Sequence, residues 1–251
     1  MSNMEIHVLF PGYSATTDFG ALGWGAVALI KTDSWAALLD SGGHSQRRQL
    51  IPRIEKCGVT ANDIRYIFLT HLHWDHANNV DLFPRAELIV SRAEWNFVQH
   101  DNDGAYYPPT IEMIRNQRLS VIEANGEMVA PNVYAYLTPG HTFGSTTYVI
   151  NDGAENYVLA GDAAKNRYEI ETGNAKMTKD AKMSKQSITH IKSLGTHILP
   201  GHDGWVDLIN GHAVARGGND IILTYPTGIT MGGMNTLKLY MDKTSYKDRE
   251  N

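Results

Sequence analysis

The sequence predicts an α/β fold in which helices are layered against sheets. Three observations carry this. Strand-length apolar runs alternate with helix-like stretches along all 251 residues. No linker of Gly, Ser or Pro divides the chain, and no repeat or low-complexity tract interrupts it, so one domain over 1–251 is expected. Finally, four of the apolar runs stop abruptly at a histidine or an aspartate. Strands that finish at a common sheet edge would gather those residues into one set of loops, and loops on a rigid scaffold are where sites are built.

Taken in order, strands are expected at 5–10, 25–32, 35–39, 65–70, 87–90, 133–138, 146–150, 157–159 and 196–199. Each has the length of a typical strand and is rich in Val, Ile, Tyr or Leu. Helices are expected at 46–56, 92–99, 110–117 and 180–194. Ser45 is placed to cap the first, Gly58 lies just past its end, and Pro52 inside it implies a kink or a later start. The last helix stops at Gly195 in the C′ position. Residues 151–155 (NDGAE) read as a hairpin turn between two strands. Residues 101–104 (DNDG) resemble the start of a calcium loop, but the distal Glu is missing, so they read as a turn. From 210 to 251 the chain reads as a C-terminal extension. Gly217, Gly218, Gly228, Gly232 and Gly233 break it up, one apolar run covers 221–225, and the charged 242–251 end is expected to fray. Met231 and Met234 in that tail read as gap-fillers.

Composition narrows the function classes. The chain has eleven histidines, one cysteine (Cys57) and a formal net charge of −5. One cysteine excludes an intrachain disulfide and a Cys-rich zinc site, and fits a reducing compartment. The acidic balance gives no basic footprint for nucleic acid or an anionic membrane. No window approaches 18 consecutive apolar residues, and the MSNMEIHVLF start lacks the marks of a secretory signal. A cytoplasmic globular protein, without nucleic acid or membrane as partner, is the expectation. Oligomeric state is open: a homo-oligomer and a partner subunit are both compatible with the 221–225 run.

The histidine excess has a pattern. IFLT at 67–70 is followed by His71-Leu72-His73-Trp74-Asp75-His76; YLTP is followed by Gly140-His141, YVLA by Gly161-Asp162, and HILP by Gly201-His202. Glycine just before three of these residues lets the backbone turn sharply there. Neutral imidazoles and carboxylates suit zinc, and manganese or iron as well, since no thiolate is present to choose among them. Two dications sharing an oxygen would bring the pKa of a water towards neutrality. Asp75 is placed to accept a proton and pass it to a leaving group. Single Gly-His or Gly-Asp pairs are ordinarily turns; it is their recurrence at strand ends downstream of the cluster that points to ligands. His7, His44, His100, His190, His197 and His212 lack such spacing and read as ordinary residues.

These residues resemble the metallo-β-lactamase superfamily over about 4–210: HLHWDH at 71–76, TPGH at 138–141, GD at 161–162 and PGH at 200–202. The resemblance implies an αβ/βα sandwich, two mixed sheets flanked by helices with the site at one edge. It implies that His71, His73 and His141 hold a first metal. It also implies that Asp75, His76 and His202 hold a second, with Asp162 bridging both and Asp75 and Asp162 serving catalysis. Asp40 in LLDSGG matches a supporting position after an early strand, and equally reads as a turn-forming residue. VLFPGY at 8–13, NVDLFP at 79–84 and TPGHTFGST at 138–146 are similar to the small single-domain branch that includes N-acyl-homoserine-lactone lactonases and thioesterases.

Departures from the relatives refine this. The lactonases place Tyr three residues after the bridging aspartate, where Lys165 stands, with Tyr168 further along. Lys165 reads either as a solvated surface lysine or as a cationic contact to an oxyanion. An aspartate at 162 in place of cysteine argues against exported antibiotic hydrolases. Aromatic residues crowd the expected surroundings of the site: Phe19, Trp24, Trp74, Tyr106, Tyr107 and Phe143. With Lys165 and Tyr168 they form the expected substrate-binding set, suited to an apolar or aromatic group. The function expected is hydrolysis of a small lactone or ester by two divalent ions, zinc foremost. Thioester or amide hydrolysis, a phosphodiesterase, and a non-catalytic metal-binding subunit are the alternatives.

Overall fold

The computed structural model describes residues 4–100, 104–217, 220–230 and 232–239. The expectations for 101–103, Gly218, Met231 and 242–251 lie outside the described residues. In chain order the elements begin with β1 (Glu5–Phe10), β2 (Tyr13–Thr17), β3 (Gly20–Trp24), β4 (Val27–Lys31) and β5 (Ala36–Leu39). Then come α1 (Arg47–Lys56), β6 (Ile64–Phe68), the one-turn α2 (Trp74–Ala77), β7 (Glu87–Ser91), α3 (Arg92–Val98), α4 (Pro108–Arg115) and β8 (Arg118–Ile122). The second half has β9 (Glu127–Ala130), β10 (Val133–Leu137), β11 (Thr146–Asn151) and β12 (Asn156–Gly161). It continues with α5 (Arg167–Thr172), α6 (Ala181–Leu194), β13 (His197–Pro200), β14 (Val206–Ile209) and β15 (His212–Ala215). A last hairpin pairs β16 (Ile221–Thr224) with β17 (Thr236–Leu239).

Two mixed sheets form the frame. The first has the order β1-β4-β5-β6-β7-β8, antiparallel at its start and parallel from β5 onwards. The second has the order β15-β14-β13-β12-β11-β10-β9, with one parallel pair at β12–β13. Central strands are apolar on both faces because each face meets a different layer. Along β4, Val27 and Leu29 join Leu50 and Ile54 of α1 and Ile111 and Ile114 of α4, whereas Ala28 and Ile30 face the other sheet. Along β12, Leu159 enters the inter-sheet core, whereas Val158 and Ala160 pack with Ile188 and Ile191 of α6. Three cores therefore separate four layers, the αβ/βα sandwich. Among the described residues no helix is long and apolar enough to cross a membrane.

All nine expected strands and four expected helices form, with ends shifted by up to two residues. The NDGAE turn joins β11 to β12 as expected, with Asn151 opposite Asn156. The capping expectations need correction. Ser45 lies inside a short 3-10 turn, His44–Gln46, and the residue before α1 is Gln46, which makes no side-chain cap. Its amide side chain instead accepts from the Gly43 N–H and donates to the Gly25 carbonyl. Gly195 follows α6 with extended backbone and not in the left-handed cap conformation. Asp180, expected as the first helical residue, is the N-cap of α6 and accepts from the Met183 N–H. Of the apolar run 221–225, Ile221–Thr224 is a strand of the terminal hairpin, with Ile222 largely exposed.

Candidate active site

The four loops that carry these histidines and aspartates all leave one edge of the sandwich. β6 feeds the 71–76 segment, β10 the loop to His141, β12 the turn to Asp162 and β13 the turn to His202. Gly161 takes a left-handed φ of 52°, which a side chain would strain. Gly201 is fixed by space: a Cβ there would run into the Asp162 carboxylate and lie 2.8 Å from the Gly161 carbonyl carbon. We therefore expect Gly201→Ala to displace Asp162 by roughly 1 Å and lower kcat/KM by about 10²-fold, with loss of bound metal. Activity and metal content near wild type would show that Asp162 has room to move.

Seven side chains converge. Three sets of donor atoms each lie within 4.8 Å of one another: His71, His73 and His141; His71, His76 and Asp162; and Asp75, His76 and His202. Asp162 stands between the outer two. Its Oδ1 is 3.2 Å from His76 Nε2, and its Oδ2 is 3.3 Å from both His141 Nε2 and His202 Nε2. Asp75 Oδ2 is 3.3 Å from His202 Nε2, and His141 Nε2 is 3.1 Å from His73 Nδ1.

The rings are held from behind. Asp40, fully buried, accepts from the Thr70 N–H (2.8 Å), the Thr70 hydroxyl (2.9 Å) and His76 Nδ1 (2.8 Å). Thr70 Oγ1 lies 3.0 Å from His71 Nδ1. His141 Nδ1 faces the Met177 carbonyl at 3.0 Å, and His202 Nδ1 faces the carbonyls of Tyr13 and Trp24, each at 3.1 Å. An Nδ1 that donates outwards leaves Nε2 as a lone-pair donor facing the centre, the arrangement of metal-ligating histidines. At that centre His71 Nε2, His76 Nε2 and Asp162 Oδ1 are buried without an aligned hydrogen-bond partner. Buried polar atoms are ordinarily satisfied. Orphans of this donor chemistry, pointing at one another, fit divalent cations.

Electrostatics divides the rings, lowering the pKa of His71 and His141 and raising that of His76 and His202. Burial, together with the neighbouring rings His76, His73 and His141, holds His71 well below the ordinary histidine pKa. Burial likewise brings His141 down to about 3 against the pull of Asp162. Both are therefore neutral, the form that ligates. Burial also penalises a charge on His76, but Asp75, Asp162 and Asp40 together outweigh it and raise its pKa. Asp162 is kept ionised, well below the usual carboxylate range, as His202, His76 and His141 overcome its burial.

The cluster floors a cavity of about 420 Å³, lined also by Trp74, Lys165, Met177, Thr178, Lys179 and, from the β2–β3 hairpin, Ser14, Ala15, Ala21 and Gly23. Of the eight expected substrate-contact residues, only Trp74 and Lys165 line it. Phe19 is 95% exposed at the tip of the hairpin. Trp24 is half-buried against the first core and donates to the Pro11 carbonyl. Tyr106 is buried behind His73, with ring centroids 4.8 Å apart, and its hydroxyl donates to Glu94. Tyr107 precedes α4, Phe143 packs edge-on against Phe97, and Tyr168 lies on α5. Proximity in sequence to a ligand fails here because side chains on a turn diverge. Lys165 is not a solvated surface lysine: it is 8% exposed and pairs with Glu169 at 3.1 Å. Sequence reasoning missed the 177–179 segment that closes one side, and three of the histidine supports are backbone carbonyls without a side-chain signature.

Donors fixed in this way at the edge of an αβ/βα frame define a class, the metal-dependent hydrolases. Comparison with known proteins narrows it. The sequence profile of the metallo-beta-lactamase superfamily matches residues 25–223, and the chain belongs to that superfamily. It is 30% identical over 208 residues to metallo-beta-lactamase domain-containing protein 1 of Xenopus laevis, covering 79% of each chain. It is 29% identical over 164 residues to an N-acyl homoserine lactonase of a Bacillus species, covering 63% of this chain and 64% of that one. A probable metal-dependent hydrolase from Staphylococcus aureus has the same fold, with a TM-score of 0.70 at 18% identity, covering 82% of this chain and 93% of that one.

Proposed function

We propose that the protein hydrolyses a small lactone or ester using two divalent ions, zinc in the first instance. His71, His73 and His141 would hold one ion and Asp75, His76 and His202 the other, with Asp162 available to both. The observation that carries this reading is the convergence of buried, outward-tethered imidazoles on Asp162 at the floor of an open cavity. The likeness to an N-acyl homoserine lactonase supports the bond type. Bound ions would supply Lewis acidity, which acidifies water and polarises a carbonyl.

The chain's own residues supply the rest. Asp75 lines the cavity with Oδ2 turned to His202 and His76, so its other oxygen is the atom that takes a proton from the attacking water and returns it to the leaving oxygen. Lys165 lines the cavity with its Nζ buried beside Glu169 at 3.1 Å, a cation behind the wall that favours negative charge developing there. Ser14 and Thr178 also line the cavity, the Thr178 hydroxyl being turned to the Gly140 carbonyl and Ser184, so few polar groups are left to anchor a substrate. Trp74 is, among the described residues, the one aromatic side chain on the cavity wall, so the aryl preference expected from the sequence loses its basis.

A panel of lactones, esters, thioesters, amides and an aryl phosphodiester, run on protein of measured metal content, tests the reading. Lactones and esters are expected to exceed the others at least tenfold, with phenyl and small alkyl esters within about threefold of each other. A faster phosphodiester would overturn it.

A further inference from the structure

Glu94 is a buried carboxylate that the proposed mechanism does not use. It sits in α3, fully buried, and among the described residues no basic side chain pairs with it. What faces it are hydrogen-bond donors from separate segments. Its Oε1 accepts from the Leu72 N–H at 2.9 Å and the Tyr106 hydroxyl at 3.2 Å, and its Oε2 accepts from the Thr142 hydroxyl at 2.6 Å. Leu72 lies between His71 and His73, Tyr106 packs on the His73 ring, and Thr142 follows His141. Glu94 is itself anchored, because its own N–H donates to Ser91 Oγ, whose hydroxyl donates to the Gly144 carbonyl.

An acceptor-only group clamped between two ligand loops fixes the distance between them. We propose that Glu94 is a positioning residue that sets the separation of the His71–His73 pair from His141, and so controls the three-imidazole site selectively. The inference rests on the two-ion reading above. His76 and His202 have supports of their own, Asp40 for the first and the carbonyls of Tyr13 and Trp24 for the second, and among the described residues neither bonds to Glu94.

The test is zinc binding by equilibrium dialysis, cobalt(II) absorption spectra and melting of the metal-free protein for wild type, Glu94→Gln, Glu94→Ala and Thr142→Val. His141→Ala serves as the reference for a lost three-imidazole site. Glu94→Ala is expected to weaken one of two zinc ions by at least about tenfold and leave a cobalt spectrum like that of His141→Ala. Thr142→Val should weaken the same ion by about threefold, which keeps the test open if Glu94→Ala fails to fold. Glu94→Gln should recover most of the affinity, because the amide oxygen still accepts from Leu72 and Tyr106 and the Thr142 hydroxyl can turn to accept. Unchanged affinity and spectra would overturn the inference, as would equal weakening of both ions in step with the metal-free melting point. A wild type holding one ion overturns the two-ion reading separately; the cobalt spectrum of Glu94→Ala then still decides, by changing or not.

Discussion

Asp162→Ala is expected to abolish hydrolysis, with kcat/KM lower by at least about 10³-fold, or ~4 kcal/mol at 1.36 kcal/mol per tenfold. The size follows from where its two oxygens point. Oδ1 meets His76, and Oδ2 meets both His141 and His202, so one carboxylate joins the two halves of the cluster. Alanine removes the shared donor and leaves several imidazoles facing one another with no anion between them. Asp162→Asn keeps the volume but turns an N–H₂ towards nitrogen lone pairs, so it should do little better. Metal content measured on the same samples should fall from two equivalents to one or fewer. An alanine variant with two ions and more than a tenth of wild-type activity would contradict the assigned role.

The second large effect is expected at Asp40, which touches neither cavity nor substrate. Its carboxylate holds His76 Nδ1 and both donors of Thr70, all buried. Asp40→Ala leaves those donors orphaned and should reduce stability by about 3–5 kcal/mol and metal affinity by roughly 10- to 100-fold. The backbone adds to this, because φ at Asp40 is 53°, a conformation Asp tolerates better than Ala. Asp40→Asn separates the two contributions. Asn accepts the left-handed backbone and can still accept from Thr70, so melting should fall by less than in the alanine variant. An amide N–H₂ facing His76 Nδ1, however, drives that ring to the tautomer with its proton on Nε2, towards the metal position. Metal affinity should therefore stay low in both variants. Recovery of affinity along with stability in Asp40→Asn would show that Asp40 matters only for folding.

How much of this was legible in the sequence depends on which atoms do the work. The C-terminal halves of the central strands are buried on both faces, so residues 67–69, 158–160 and 198–199 appear as short apolar runs just before the site, and the histidine or aspartate soon after each stands out. That is why the seven converging residues could be read from four short motifs. Peripheral strands such as β9 (EMVA), β14 (VDLI) and β15 (HAVA) are four residues long and mix polar with apolar positions, which leaves little periodicity to detect. The β2–β3 hairpin falls between the strands expected at 5–10 and 25–32, because its Ser, Thr and Gly residues avoid the usual strand composition, although its backbone pairing is regular.

The cavity wall was the least legible part. Phe19 and Phe143 are close in sequence to the site, yet one caps a hairpin and the other rests on Phe97. Met177 has no motif at all, although it lines the cavity and its carbonyl faces His141 Nδ1. Glu94, within SRAEWNF, looks like an ordinary polar residue on a helix; its burial arises only when the 71–76 and 138–146 loops close over it. Contacts made by backbone atoms, and contacts that need three segments at once, leave no trace in local sequence.

The central claim, a two-ion hydrolytic site built from these seven side chains, is tested most directly by titrating metal-free protein with zinc while following hydrolysis of a lactone or ester that the holoenzyme turns over. No turnover is expected without metal, with a rise that saturates at two equivalents per chain. Full activity in the metal-free protein, or saturation at one equivalent, would contradict it.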